Sequence, residues 1–521
     1  MKIVLYVLVL SSIVGLAQPI LLLPLAKMLF DQVFGIMMFL GINTAIDSVW
    51  AQIFPTEDPI MTLRTKVMER FDGLTSHIQQ AATITVQELN NYIEESQLLV
   101  PKIQQIDELL KKLNSEEEYI KKLRNQEGSF EKDTLRSFAD GIISNHRESV
   151  TSRMAAIFNM VIGTPSSSGH NFIDLFMQSL ERTKYHKVCH LQTSPQQAFL
   201  ELFKIIMKAE MRTLELGNYA YAIKSMVSEP FENHTVEAYL LQDVFYNRTQ
   251  YYAEVIQVNL HRLSSRFFVC DPKGRGSDTF KKFEKKTPLV SLKLQESDIA
   301  KGKVIVGLQL TTVFDVLTFQ IKQAPLLGNF HVNASASEWI KIYDLYSVAD
   351  NKTTVEPYHW KLMMKELTVP ENTVLTGIGF GYDSKNQLDI KLKYTPVLNA
   401  STGELDVAAS GWMAERHDPQ RTKEFSKKVK PSTSCQVDSF PDALNGQCLQ
   451  MKNLGSGNKG DWIPYVETQE VVPHPMMALS GAGLTHKGHD ECGGFLAPVT
   501  LTISDYYTRS VGYEREFTLN I

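Results

Sequence analysis

The sequence of 521 residues lacks a strong excess of charge, with 53 lysines and arginines, 58 aspartates and glutamates and a net charge of −5. A general nucleic-acid-binding protein carries a basic excess, so this balance argues against that class. Cysteines are few, five in all, which excludes a small disulfide-framework fold and leaves apolar cores to supply stability. A chain of this length is expected to form two to four domains.

Catalytic motifs are also lacking. The sequence contains no nucleophile elbow, zinc-protease helix motif, phosphate loop or kinase motif set. We therefore predict that the protein is not an enzyme, with no catalytic residue, no cofactor and no metal site. The alternative of an enzyme whose site forms only in three dimensions stays open, because scattered acids and histidines can meet in a folded chain.

What the sequence does contain is a repeat in its C-terminal part. A short apolar motif with a central glycine occurs three times, as Ile305–Leu310, Leu375–Phe380 and Leu479–Leu484. A proline follows Gly307 after 18 residues, Gly377 after 19 and Gly481 after 17. Each unit is typical of a β-hairpin, which predicts an all-β domain over 301–521 with three internal pseudo-repeats, arranged like a β-prism or a sandwich.

Residues 18–270 have helical periodicity instead. Apolar positions recur at spacings of three and four over 63–93 and 101–123, which is coiled-coil-like for about three heptads. Further helices are expected over 133–162 and 172–180. The fold class is therefore α+β multidomain, with an N-terminal all-α helical bundle ahead of the β domain.

A long helical hairpin is predicted at the end of the bundle. Ser194, Pro195 and Gln197 give a serine N-cap, a proline in the first turn and a glutamine at N3. That helix should run to Val227, and an antiparallel partner should run over 235–266. Cysteines 189 and 270 flank the two helices at the same end of the hairpin, so we predict a disulfide between Cys189 and Cys270.

The other cysteines lie in the β domain. Cys435 and Cys448 fall in the extra length between the second and third repeats, and a local disulfide between them is expected. Cys492 is then a free or intermolecular thiol. Residues 271–300 are polar, basic and glycine-containing, which favours a solvated interdomain linker. Alternatives are a processing site at Lys285–Lys286 or a patch for acidic glycans or lipid.

The N-terminus is typical of a secretory signal. Lys2 precedes an apolar run and the small residues before position 17, which predicts a signal peptide over 1–17. A signal-anchor over 3–26 is the alternative, and either places the body of the chain outside the cytosol. Five acceptor sequons predict N-glycosylation at Asn233, Asn247, Asn333, Asn351 and Asn399.

Two other patterns have a structural and a functional interpretation. Gly455–Gly460 matches a dinucleotide fingerprint but lacks the following helix, so a surface loop is favoured. His486–Cys492 packs four potential metal ligands into seven residues, and we interpret it as a solvated loop, with a zinc-like site as the alternative. Four tryptophans lie in the β region: Trp339, Trp360, Trp412 and Trp462. We expect them to pack in the core, and the alternative for an exposed ring is a platform on which a sugar stacks.

Several segments together resemble a known family: Thr193–Ala198, Cys270–Pro272, Gly302–Gly307 and Leu479–Leu484 with Lys487–His489. They are similar to uncharacterised secreted insect proteins built around a domain of unknown function. The resemblance implies a secreted, multidomain protein and carries over no activity. The triple β unit separately resembles β-prism modules of lectin or eggshell-layer type in its repeat count alone.

The expected function is that of a secreted, non-enzymatic binding or extracellular-matrix protein, whose β domain presents loops to a glycan or another extracellular surface. No nucleic-acid partner is expected. The apolar stretch over 21–46 is interpreted as a buried helix or the amphipathic start of the bundle, with a membrane-active helix as the alternative. The second hypothesis is therefore a membrane-active or pore-forming protein, in which the helical bundle is joined to a β targeting module.

Overall fold

The computed structural model describes residues 100–125, 132–163, 171–182, 189, 192–227, 234–260, 262–271, 280–281, 289–313, 316–327, 330–342, 354–355, 362–382, 388–399, 402–413, 421–423, 439–442, 447–450, 452–453, 462–489 and 492–502. The predicted signal peptide, the apolar stretch over 21–46 and the predicted helix over 63–93 lie outside these residues. The loop predicted at 455–460 lies outside them as well.

The N-terminal half of the described chain is helical. Its helices are α1 Val100–Asn125, α2 Lys132–Ile143, α3 Val150–Ile162, α4 Phe172–Arg182, α5 Pro195–Val227 and α6 Thr235–Leu260. The single helix predicted over 133–162 is therefore two helices. Residues 144–149 are polar and interrupt the apolar pattern, and Ser149 caps α3 by accepting a hydrogen bond from the Ser152 amide at 3.3 Å.

The predicted helical hairpin is present as α5 and α6. Ser194 caps α5 as expected, since its Oγ accepts a hydrogen bond from the Gln197 amide at 3.0 Å. Helix α6 ends at Leu260, six residues before the predicted end at 266. Helix α5 lies against α1, α2, α3 and α6, and it buries Phe199, Phe203 and Leu216. Burial of its apolar side chains holds this region together.

The C-terminal half consists mostly of strands. They are β1 Arg266–Phe267, β2 Phe280–Lys281, β3 Leu289–Ser291, β4 Gln295–Glu296, β5 Lys303–Val313, β6 Val316–Pro325, β7 Glu338–Trp339, β8 Thr354–Val355, β9 Leu362–Thr368, β10 Thr373–Tyr382, β11 Leu388–Asn399, β12 Glu404–Leu405, β13 Gly411–Met413, β14 Arg421–Lys423, β15 Phe440–Pro441, β16 Gln447–Leu449, β17 Lys452–Asn453, β18 Trp462–Ile463, β19 Tyr465–Glu467, β20 Gly481–His489 and β21 Cys492–Leu501.

These strands form open sheets. The largest has the order β2-β19-β21-β20-β9-β11-β10-β4, with six short strands paired at its sides. A second sheet has the order β5-β6-β3-β8, with β7 paired to β6, and β17 pairs with β18. Strand β20 lies between β9 and β21, and its described side chains are buried on both faces. A strand covered on both faces must bury its polar residues together with its apolar ones.

Three long antiparallel hairpins, β5–β6, β10–β11 and β20–β21, occupy the three predicted repeats. In the first two hairpins the register shifts directly before the glycine, Gly307 or Gly377. The proline of the hairpin pairs with the residue four positions before that glycine. In the third, Pro498 pairs with Leu484, three residues after Gly481. The first two hairpins thus share a register that the third does not, and the threefold repeat stays a prediction.

The three hairpins meet at Leu479, shortly before the third hairpin begins. The Leu479 amide donates to Ile305 O at 3.3 Å, and Leu479 O accepts from the Leu375 amide at 3.0 Å. Leu479, Ile305 and Leu375 belong to one buried apolar cluster with residues of all three hairpins. This cluster is the core of the strand region.

The alternating glycines of β10 admit another backbone at close range. A Cβ on Gly379 would lie 3.0 Å from Leu294 Cα, and one on Gly377 would lie 3.2 Å from Gln295 O. Both contacts belong to the segment around β4, inside the predicted linker 271–300. Strands β2, β3 and β4 pair within the sheets, so the prediction of a solvated linker is wrong for these residues.

Candidate functional site

The stretch predicted to be a solvated loop at His486–Cys492 contains the most deeply buried charge of the third hairpin. Residues 486–489 belong to β20, and His486 and Lys487 are both 0% exposed. The loop prediction is therefore wrong for these residues. Because successive side chains of a strand point to opposite faces, His486 and Lys487 enter two different environments.

Lys487 lies between two carboxyl groups. Its Nζ is 2.6 Å from Glu467 Oε2 and 3.2 Å from Asp271 Oδ1, and it donates a hydrogen bond to Val269 O at 2.8 Å. The ring of Phe495 closes one side, with its centroid 6.0 Å from Nζ. We call Lys487, Glu467 and Asp271 the buried triad. It joins β20 and β19 to the segment that follows the helical hairpin.

The backbone and one amide side chain hold the two carboxyl groups of the triad in place. Asp271 Oδ2 accepts from the Ser439 amide at 2.6 Å, which leaves Oδ1 facing the lysine. Gln469 Nε2 donates both to Glu467 Oε1 and to Cys270 O, the latter at 2.7 Å. Burial raises the pKa of Glu467 and the Asp271 charge adds to this, while Lys487 and Gln469 oppose the rise.

His486 is held on the opposite face. Its Nδ1 contacts Asp442 Oδ1, and its Nε2 lies 2.9 Å from Gly493 O. Both ring nitrogens are therefore engaged by oxygen atoms, so this histidine offers no nitrogen to a metal ion. Among the described residues no group of histidine, cysteine and carboxylate side chains has the arrangement of a metal site.

The predicted disulfide between Cys189 and Cys270 is confirmed, with an S–S distance of 1.96 Å. The predicted pairing of Cys435 with Cys448 is wrong. Cys448 is a buried thiol whose Sγ lies 3.0 Å from Met363 Sδ, because β16 pairs with β9 and places it inside the sheet. Cys492, expected to be a free or intermolecular thiol, is disulfide-bonded, and Cys435 lies outside the described residues.

Trp412 is exposed, at 36%, whereas Trp339 is half-buried. Trp412 lies in β13 and pairs with Lys393 of β11, and a Cβ on Gly377 would come within 3.0 Å of its ring. Lys393 forms an ion pair with Glu296 beside it. An exposed indole next to charged hydrogen-bonding groups makes this outer sheet face a candidate binding surface.

Trp339, the other tryptophan whose side chain the structure describes, does not add to that surface. Trp339 is half-buried in β7, and the Lys322 ammonium lies 5.6 Å above its ring. Trp360 lies outside the described residues, and Trp462 forms part of β18.

Of the predicted glycosylation sites, Asn247 on α6 and Asn399 at the end of β11 are exposed. Asn333 is half-buried, and its Oδ1 accepts a hydrogen bond from Ser335 Oγ at 2.7 Å. Asn233 and Asn351 lie outside the described residues. The exposure of Asn247 and Asn399 is compatible with an attached glycan, and glycosylation itself stays a prediction.

A cleft of about 500 Å³ opens beside α1 and α2, lined by Glu116, Tyr119, Asp133, Thr134, Ser137 and Phe138. Burial raises the pKa of Glu116, while the Lys112 charge lowers it. The lining holds two carboxyl groups but neither a histidine nor a cysteine to act with them, so the cleft does not resemble a nucleophilic active site. None of the described helices has the length and apolarity to cross a membrane.

Comparison with known proteins adds one finding. A family model described as a domain of unknown function (DUF4803) matches residues 186–291, the stretch that holds α5, α6, the Cys189–Cys270 disulfide and Asp271. No curated protein matches the chain. The resemblance to proteins built around a domain of unknown function is thus confirmed at the level of this domain. Insect origin, secretion and a prism-like C-terminal part stay predictions.

Sequence reasoning missed the partners of the buried lysine and histidine. Glu467 and Asp271 lie 20 and 216 residues before Lys487, and Asp442 lies 44 residues before His486, so no local motif includes them. The available signal was that the polar pair His486–Lys487 directly continues the apolar third repeat, Leu479–Leu484, by two residues. A buried charge requires a partner, and that requirement would have prompted a search for distant carboxylates.

Proposed function

We propose that this chain is a secreted, non-enzymatic binding or extracellular-matrix protein that presents the outer face of its second hairpin to a glycan. The observation that carries the proposal is the position of Trp412. Its indole is exposed beside a charged ion pair, whereas the buried lysines Lys487 and Lys365 are paired with carboxylates inside the protein.

The outer face suits a sugar ring for two reasons. An indole offers a flat apolar surface to the C–H face of a pyranose. Gly377 packs against the Trp412 ring on one side. The Lys393–Glu296 pair beside it supplies a donor and an acceptor for hydroxyl groups. Most carbohydrate sites combine such stacking with a few polar contacts.

The buried charges favour a non-enzymatic role. Lys487, Glu467, Lys365 and Asp389 are each at most 3% exposed, so a dissolved substrate does not reach them. A general acid or base must come within hydrogen-bond distance of its substrate. These groups instead stabilise the contacts among strands.

The Cys189–Cys270 disulfide supports the extracellular placement, because such bonds persist in oxidising compartments. The exposed sequons at Asn247 and Asn399 agree with it. Detection of the protein in the medium of expressing cells, with glycans released by an amidase, tests this part of the proposal.

Glycan binding is tested by a glycan array and by pull-down on insoluble polysaccharides with the full chain. We expect binding that falls at least about tenfold in Trp412→Ala, the loss of one stacking contact. Trp339→Ala is the matched control, since that ring lies in the other sheet beneath Lys322, and it should bind like the wild type. No binding by the wild type, or equal loss in both variants, contradicts the proposal.

A further inference from the structure

The buried triad brings an amine and a carboxyl group together where water has little access. Lys487 is 0% exposed, Glu467 is 0% exposed, and the Asp271 side chain is 16% exposed. Lys487 Nζ lies 2.6 Å from Glu467 Oε2 and 3.2 Å from Asp271 Oδ1, so both carboxyl groups are in direct contact with the amine. We infer that Lys487 Nζ and Asp271 Cγ become joined by an intramolecular isopeptide bond, with Glu467 transferring the protons.

The charge of the triad favours its neutral, reactive form. Two carboxylates and one ammonium would leave one uncompensated negative charge in the interior, which is costly. Burial raises the pKa of Glu467, which favours its protonated form and thereby a triad without net charge. Transfer of one lysine proton to Asp271 then gives an amine facing a carboxylic acid without any change in total charge.

The condensation balances within the triad. The lone pair of Lys487 Nζ attacks Asp271 Cγ, and a new Nζ–Cγ bond forms. One nitrogen proton passes through Glu467 to the departing carboxyl oxygen, the Cγ–O bond breaks, and that oxygen leaves as water. The products are an amide between the two side chains, one water molecule and a regenerated Glu467 acid, and no oxidant or reductant is consumed.

The neighbouring groups are placed to assist this step. The Ser439 amide donates to Asp271 Oδ2 at 2.6 Å, where negative charge develops as the amine attacks. Gln469 fixes Glu467 Oε1, so that Oε2 faces the amine at 2.6 Å. Phe495 covers the amine and keeps bulk water from the product, which favours the amide over its hydrolysis.

The bond would tie two distant parts of the chain together. Asp271 directly follows Cys270, which is bound to Cys189 at the start of the helical hairpin. Lys487 belongs to the third β-hairpin, 216 residues further along the chain. The helical hairpin and the strand region would then be linked covalently through two adjacent residues. Such a link does not depend on what the outer sheet face binds.

Peptide mapping of the full-length, reduced and alkylated protein tests the inference. Trypsin should not cleave after an acylated Lys487, so fragment 267–273 should be recovered joined to fragment 460–509, lighter than their sum by one water molecule. Recovery of 267–273 and 460–487 as separate, unmodified peptides would overturn the inference, whatever the variants do.

Variants then assign the roles. Glu467→Gln should abolish the branched peptide, and if it forms the bond as fully as the wild type, the role of Glu467 is wrong. Asp389→Asn is the matched control, because it changes the carboxylate of another buried lysine pair and should leave the branched peptide intact. Asp271→Asn sharpens the result, since a bond formed there releases ammonia in place of water. Formation of the Cys189–Cys270 disulfide in each variant confirms that it has folded.

Discussion

The helical region and the strand region bury different kinds of side chain. Helix α5 packs through phenylalanine, leucine and methionine side chains, and its buried ion pair is Glu210 with Arg248 at 2.7 Å. The strand region buries Lys365 with Asp389, His486 with Asp442, and the triad around Lys487. The difference follows from geometry: a helix can turn its polar residues to solvent, whereas a central strand covered on both faces cannot.

The largest effect should come from breaking a buried pair of the strand region. Lys365→Met leaves the Asp389 carboxylate buried without its ammonium, which should cost roughly 3–5 kcal/mol. Lys391→Met is the control, because that lysine is half-buried along Gly381 and should cost less than about 1 kcal/mol. Urea unfolding followed by tryptophan fluorescence measures both, since most tryptophans lie in the strand region. Equal costs would contradict the distinction.

The buried ion pair of the helical region should make the folding stability depend on pH. Burial raises the pKa of Glu210 from 4.5 to about 7, while Arg248 lowers it. Between these values the folded state keeps a proton that the unfolded state has lost, so stability should fall by about 3 kcal/mol as pH rises through this window.

Unfolding followed by far-ultraviolet circular dichroism at several pH values measures this slope. Glu210→Gln removes the titrating group and should flatten the curve between pH 4.5 and about 7. A slope that persists unchanged in the variant would show that another group is responsible.

Glycine-to-alanine substitutions should have opposite signs in the two regions. A Cβ on Gly483 of β20 would lie 2.4 Å from Lys365 O, a backbone atom, so Gly483→Ala should destabilise by roughly 1–3 kcal/mol. Gly141 of α2 has nothing within 4 Å of an added Cβ, so Gly141→Ala should stabilise by about 0.5–1 kcal/mol. Thermal unfolding of both variants checks the signs, and a shift in the same direction would be contrary to the packing described.

The cap of α3 should have a smaller effect. Ser149→Ala removes the acceptor for the Ser152 amide and should cost about 1 kcal/mol in the helical transition. Ser149→Thr keeps the oxygen and should retain most of the stability. Circular dichroism measures both, and equal loss in the two variants would indicate a packing role for this residue in place of capping.

The last prediction concerns which cysteines are joined by disulfides, and it involves no change in stability. Cys189 pairs with Cys270, Cys448 is a thiol and Cys492 is bonded, which leaves Cys435 among the five cysteines to pair with Cys492. We expect non-reducing peptide mapping to recover Cys492 joined to Cys435, with Cys448 alkylated only after unfolding. A Cys435–Cys448 peptide would refute this assignment.

Sequence patterns predicted the helical hairpin, its N-cap at Ser194 and its disulfide, because each depends on residues close to the helix ends. They also predicted where the three long hairpins lie, since apolar strands around a turn are a local signal.

The errors concern contacts between distant residues. Strands β2, β3 and β4 are two or three residues long, and they form by pairing with strands elsewhere in the chain, so their own polar composition predicted a linker. Cys448 lies in a strand that pairs with β9, which no spacing in the sequence indicates. Likewise, the polar pair His486–Lys487 looked solvated because its carboxylate partners come from other elements.

The central claim is that the lysines buried in the strand region have a structural role, and that one of them, Lys487, is covalently bonded to Asp271. Acylation of lysines, read by mass spectrometry in the native and then the unfolded protein, tests it most directly. We predict that Lys301, which is exposed, is labelled in both states, Lys365 only after unfolding, and Lys487 in neither. Labelling of Lys365 in the native protein, or of Lys487 after unfolding, would contradict the account.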